Sequence, residues 1–109
     1  MSAQAILPQE LAAELQSANP PRLLDVRESE ENELVALLGA KLIPVGQLPA
    51  RAGELEAWRN DEVVVYCHHG IRSLHAIGYL QQLGYTRLRN LTGGIDGWAL
   101  TVEPRMLRY

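Results

Sequence analysis

The 109-residue chain has a single cysteine, Cys67, so no internal disulfide can staple the fold, and a lone thiol suits a reducing compartment better than export. No apolar run approaches the ~20 residues needed to span a bilayer, and Met1-Ser2-Ala3-Gln4 lacks the basic stretch of a signal segment. A soluble, cytoplasmic chain without membrane contact is expected. Basic excess is missing too: 10 Lys and Arg stand against 13 Asp and Glu, a net charge of -3, which argues against a nucleic-acid partner. There is no internal repeat and no low-complexity segment. The last absence is local. From Val63 to Ile95 there is no Asp or Glu, only Arg72, Arg87, Arg89 and the histidines, whereas Glu28, Glu30, Glu31 and Glu33 crowd an earlier segment. The stretch around the cysteine is therefore predicted to be locally positive and to favour a small anionic substrate.

What is present suits one domain over residues 1–109, with 47% hydrophobic residues. Ile6-Leu7 is a short edge strand, and Pro8 opens a helix whose Leu11, Ala12, Leu15 and Ala18 form one apolar stripe ended by Asn19-Pro20-Pro21. Arg22 to Arg27 is a strand, Ser29 caps a helix from Glu30 to Leu38, and Lys41 to Pro44 is a strand that the proline ends. A helix from Gln47 to Arg59 places Leu48, Ala52, Leu55 and Trp58 on one face. Val63 to Tyr66 is a buried strand, Ser73 to Leu83 a helix closed by Gly84, and Arg87 to Leu91 a strand. Thr92 caps a last helix through Trp98, and the tail from Pro104 to Tyr109 has no assignment. Trp58 and Trp98 are predicted to be core residues. Strands alternating with helices imply the α/β class: a central, mostly parallel five-stranded sheet with helices on both faces.

Cys67 falls where the most apolar strand ends and a helix begins, the place where ligands bind in open α/β sheets. A free thiol has a pKa of about 8.5, so only ~3% is thiolate at pH 7. The following helix N-terminus aims free N–H groups at the loop, Gly70 can take the positive φ that turns them inward, and Arg72 can add a full charge. Cys67 is the candidate nucleophile, and His68, His69, Gly70, Ile71, Arg72 and Ser73 form the candidate anion cradle. Cys67 with His68, His69 and His75 makes a poor zinc set, since adjacent residues seldom converge on one tetrahedron; neither metal nor cofactor is expected.

The run Tyr66-Cys67-His68-His69-Gly70-Ile71-Arg72-Ser73 resembles the active-site loop of rhodanese-like sulfurtransferases. Three further signatures agree in order: Leu24-Asp25-Val26-Arg27-Glu28, Ile43-Pro44 followed by Pro49, and Gly93-Gly94-Ile95-Asp96-Gly97-Trp98. The segment before Ile43 departs from the family's Gly-His-Ile-Pro-Gly-Ala run, keeping only Gly39-Ala40. The resemblance implies a rhodanese-like fold and transfer of sulfane sulfur from a small anionic donor such as thiosulfate, through a Cys67 persulfide, to cyanide or a thiol acceptor, including a protein thiol. It also implies that Asp25 and Arg27 lie behind the loop and hold it. Two rivals share these features: a sulfur carrier or docking module with weak thiosulfate activity, and a phosphatase or arsenate reductase on the same scaffold. The latter place five residues between Cys and Arg, whereas here four separate Cys67 from Arg72.

Overall fold

The central strand explains the layers. Along β4 (Val63–Tyr66) every residue is buried, and the side chains alternate between two cores. Val63 and Val65 point into one core, with Cys67 continuing on that face, while Val64 and Tyr66 point into the other. The computed structural model describes residues 4–109. Its other strands are β1 (Gln4–Ile6), β2 (Arg22–Asp25), β3 (Lys41–Leu42) and β5 (Leu88–Leu91). They form one five-stranded sheet in the order β1-β5-β4-β2-β3, and all its pairings are parallel.

The helices are α1 (Pro8–Leu15), α2 (Ser29–Leu34), α3 (Leu48–Arg51), α4 (Ile71–Gln82) and α5 (Gly94–Thr101). One face of the sheet buries Leu48 and Leu55 with Ala76, Ile77 and Leu80 of α4. The opposite face buries Leu11 of α1 with Ile95 and Trp98 of α5. Trp98 is a core residue, whereas Trp58 is only half-buried against the core, with the Arg22 guanidinium 5.7 Å from its ring centre. Among the described residues, no helix is long and apolar enough to cross a membrane.

Several boundaries differ from those the sequence suggests. The expected helix from Gln47 to Arg59 is a 3-10 turn at Val45–Gln47, the short α3, and a 3-10 stretch at Ala52–Trp58. Gly53 lowers α-helical preference there, and Leu48 and Leu55 still reach the core because two helical turns separate them. Helix α2 ends at Leu34, not Leu38, because Val35 is extended and its carbonyl accepts a 2.7 Å bond from Arg27. Ser29 is not its cap: the Glu28 N–H donates to Glu31 Oε1 at 3.0 Å, while the Ser29 hydroxyl goes to Glu30. Nor does Thr92 cap α5; its N–H pairs with the Ile6 carbonyl at 2.9 Å, and Gly93 takes the cap with φ 76°. Strand β3 stops at Leu42 and β2 at Asp25, while β1 begins earlier than expected.

After β2 the chain turns outward to β3, and after β4 it turns the other way to β5, so the carboxyl ends of β2 and β4 frame the crevice where connections diverge. Helix α5 closes that crevice from the side. The N–H groups of Ile95 and Asp96 donate to the carbonyls of Cys67 (2.9 Å) and His68 (3.1 Å). Gly94 permits the approach: a Cβ there would lie 2.5 Å from the Cys67 carbonyl oxygen and against that of His68, and its φ is +62°. Gly94→Ala must displace backbone as well as adopt strained dihedrals, and is expected to cost roughly 2 kcal/mol or more of stability in denaturant titration.

Candidate active site

The loop between β4 and α4 wraps its backbone around one sulfur. Gly70 sits at the cap of α4 with φ 114°, and this left-handed turn points its N–H at Cys67 Sγ, 3.1 Å away. The Ser73 N–H, in the first turn of α4, points at the same atom from 3.4 Å. Cys67 is 1% exposed, so these donors act in a largely dry site. Burial pushes the Cys67 thiol up, but the Ser73 hydroxyl and the N–H groups of Ser73, Gly70 and His69 outweigh it and hold its pKa below the ordinary value.

The Ser73 hydroxyl has only one proton to give. Its oxygen lies 3.3 Å from Sγ and 2.6 Å from Asn90 Oδ1, and the Asn90 amide is oriented by donating to the Gly70 carbonyl at 3.2 Å. With the thiol protonated, S–H can donate to Ser73 while Ser73 donates to Asn90. Once the thiolate forms, Asn90 and sulfur compete for one hydrogen. The backbone N–H groups face no such competition and are the dependable part of the cradle.

Arg72 is differently engaged from what its position in the loop suggests. Its guanidinium grips Glu31 of α2 through two bonds of 2.6 and 2.9 Å, so a carboxylate already answers its charge. Hydrogen bonding from Arg72 holds Glu31 down at about 2, against burial. The positive charge read from residues 63–95 is answered in space, Arg72 by Glu31, Arg87 by Glu62 and Arg89 by Glu14. Asp25 pairs with Arg27, Glu31 with Arg72, and Asp96 with Arg108, three carboxylates and three guanidiniums around one loop.

His68 and His69 stack, with ring centres 4.0 Å apart and planes 26° from parallel. His69 is largely exposed, 3.6 Å from Asp96. Burial and neighbouring His69 keep His68 below the usual histidine range, which favours a neutral ring. His68, His69 and Asp96 bring nitrogen and oxygen atoms within 4.8 Å of one another. His75 is exposed on α4 and does not join them. Ile71 is 66% exposed and contributes backbone, not side chain, to the loop.

A family description of rhodanese-like domains matches residues 7–101. The chain belongs to the rhodanese-like domain family. A sulfurtransferase of Allochromatium vinosum is 39% identical over 77 residues, covering 71% of this chain and 70% of its own. The probable adenylyltransferase/sulfurtransferase MoeZ of Mycobacterium tuberculosis is 34% identical over 95% of this chain, which spans only 26% of that longer protein. Among solved structures, the human single-domain sulfurtransferase TSTD1 superposes with a TM-score of 0.78 at 31% identity, covering 92% of this chain and 98% of its own. The rhodanese fold and membership of a sulfurtransferase and sulfur-carrier family follow from these likenesses.

In this rhodanese-like domain, Asp25 and Arg27 form a fully buried pair behind the loop, not an exposed one. Arg27 Nε and Nη2 grip Asp25 at 2.9 and 2.7 Å, the Arg27 N–H adds 3.0 Å, and Asn32 and the Tyr66 hydroxyl also donate to Asp25. A buried pair so thoroughly hydrogen-bonded holds β2, α2 and β4 in one geometry, and removing one partner would strand a charge. Glu31, Asn90, Asp96 and Tyr109 were not among the residues singled out from sequence. Asn90 had a signal, lying near the carboxyl end of a predicted strand, and Asp96 lies in the Gly93–Trp98 signature; Glu31 and Tyr109 reach the loop through tertiary folding alone.

Two outcomes follow from this geometry. Ser73→Ala should raise the Cys67 pKa, read from alkylation rate against pH; no change would show that the hydroxyl stays with Asn90 and the backbone alone stabilises the thiolate. Glu31 is depressed on folding from 4.5 to about 2, so its contribution to stability is complete above pH 4.5 and disappears as pH falls through that window. Glu31→Gln should therefore flatten the acid limb of stability between those values in denaturation series, whereas an unchanged limb would refute the Arg72 pairing as its cause.

Proposed function

We propose that the protein is a sulfurtransferase that carries sulfane sulfur as a Cys67 persulfide, taking it from thiosulfate or a related donor. The Cys67 thiolate attacks the outer sulfur of thiosulfate, the sulfur–sulfur bond breaks, and sulfite departs with its electron pair. An acceptor thiolate then attacks the outer sulfur of the persulfide and regenerates the Cys67 thiolate, leaving an acceptor persulfide; cyanide would leave as thiocyanate. The observation that carries this reading is the sulfur enclosed by inward-turned N–H groups of Gly70 and Ser73, donors suited to a thiolate or persulfide anion. His68 to Ser73 are the loop that would cradle the donor, and no cofactor enters the balance. Arg72 would reach a donor anion by sharing or leaving Glu31. A reducing cytoplasmic setting, which keeps the thiol free, fits this chemistry.

A second reading is a sulfur carrier with weak thiosulfate activity, fed by a persulfide. The three balanced arginine–carboxylate pairs favour it, because a ring without net positive charge draws a dianion less than a singly charged persulfide. It accords with the putative sulfur carrier YrkF of Bacillus subtilis, 38% identical over 74% of this chain. Phosphoryl transfer is disfavoured, since four residues between Cys67 and Arg72 leave a tighter cradle and Glu31 occupies the guanidinium.

Intact-mass measurement after exposure to thiosulfate, and separately to a low-molecular-weight persulfide, tests the intermediate. The native protein should gain one sulfur atom, removable by thiol or cyanide, and Cys67→Ser should gain none. Transfer activity surviving in Cys67→Ser would refute the assigned nucleophile, and loading by persulfide but not thiosulfate would select the carrier reading.

A further inference from the structure

After α5 the chain turns back toward the carboxyl ends of the strands. The Met106 N–H bonds the Glu103 carbonyl at 2.8 Å, and Met106 packs against the core on that face. Arg108 then grips Asp96 through Nε at 2.8 Å and Nη2 at 3.3 Å, on the turn of α5 whose N–H groups hold the loop. Tyr109 lies flat on His68, ring centres 3.9 Å apart and planes within 7° of parallel. Its hydroxyl donates to Glu31 Oε2 at 2.7 Å and accepts from Arg27 Nη1 at 2.9 Å. One side chain thus reaches from the second residue of the Cys67 loop, His68, to the carboxylate that holds Arg72. Beneath it, the space between His68, Ile95, Asp96 and Leu107 has no room for a water molecule.

We infer that Tyr109 is a specificity-determining residue, the wall that admits small sulfur donors and thiols to Cys67 and turns away a cysteine presented on a folded protein. The ring spans the gap between loop and α2, so a bulky partner must first lift the ring off His68, whereas a small molecule need not. Arg108 latches the segment to α5. The inference rests on Cys67 as the reacting group, but access to that sulfur can be measured without any sulfur transfer, so its failure is separable from failure of the proposed function.

The experiment compares rates of Cys67 alkylation by iodoacetamide and by a maleimide carried on a polyethylene glycol chain, at one pH. Taking the ratio of bulky to small reagent divides out changes in thiolate fraction. Tyr109→Ala should raise that ratio about tenfold, and Tyr109→Phe, which keeps the ring and its stack, should stay near wild type. Arg108→Ala, on the surface, should raise it by a smaller factor and carries the test should Tyr109→Ala not fold. A ratio unmoved in Tyr109→Ala, or unmoved in Arg108→Ala when only that variant folds, would overturn the inference. So would an equal rise in Tyr109→Phe, because the hydroxyl contacts and not the ring would then control access.

Discussion

The capture of two loop carbonyls by the first turn of α5 is the contact on which the site depends. A peptide unit that turns its C=O outward turns its N–H the other way, and the carbonyls of Cys67 and His68 are held outward by Ile95 and Asp96. The following peptides are then free to bring the Gly70 and Ser73 N–H groups to bear on sulfur. Gly94 is the enabling residue, since any side chain there would stand where those carbonyls are. The geometry of the cysteine loop and the stability of the fold therefore meet at one backbone approach.

Around that backbone cradle the charges are balanced. Arg27, Arg72 and Arg108 each hold a carboxylate, and the carboxylates come from β2, α2 and α5, three different parts of the chain. The buried pair, Asp25 with Arg27, sets the frame, while the half-exposed pair of Arg72 with Glu31 borders the mouth of the loop. The Cys67 thiol is thus held below its ordinary pKa by the Ser73 hydroxyl and fixed amide dipoles in a dry site, not by a guanidinium charge. Dipoles that need no reorganisation can serve thiolate and persulfide equally, as the proposed function asks.

Local patterns in the chain were sufficient for much of this. The β-branched run Val63-Val64-Val65 could only be a buried strand, the glycine at position 70 allowed the turn at its end, and the order of strands and helices implied the parallel sheet. Helix ends were less legible, because they were settled by distant partners: α2 stops where Arg27 claims the Val35 carbonyl, and Gly93 displaces Thr92 at α5 to bring that helix onto the loop. Charge was the least legible. The absence of acids from Val63 to Ile95 is true along the chain and misleading in space, since Glu31 and Asp96 arrive from outside that stretch.

What the sequence alone determined, then, was the place of the lone cysteine, Cys67, in a loop at a strand's carboxyl end, and the class of fold, all consequences of short-range periodicity and residue chemistry. Tertiary structure decided which groups share that site: Glu31 on Arg72, Asn90 on Ser73, Arg108 on Asp96, and Tyr109 across His68. The sequence separation in the pair Tyr109 and Glu31 is 78 residues, and no local pattern encodes such a contact. It arises because a parallel sheet gathers the ends of all its strands on one edge, where residues far apart along the chain become neighbours.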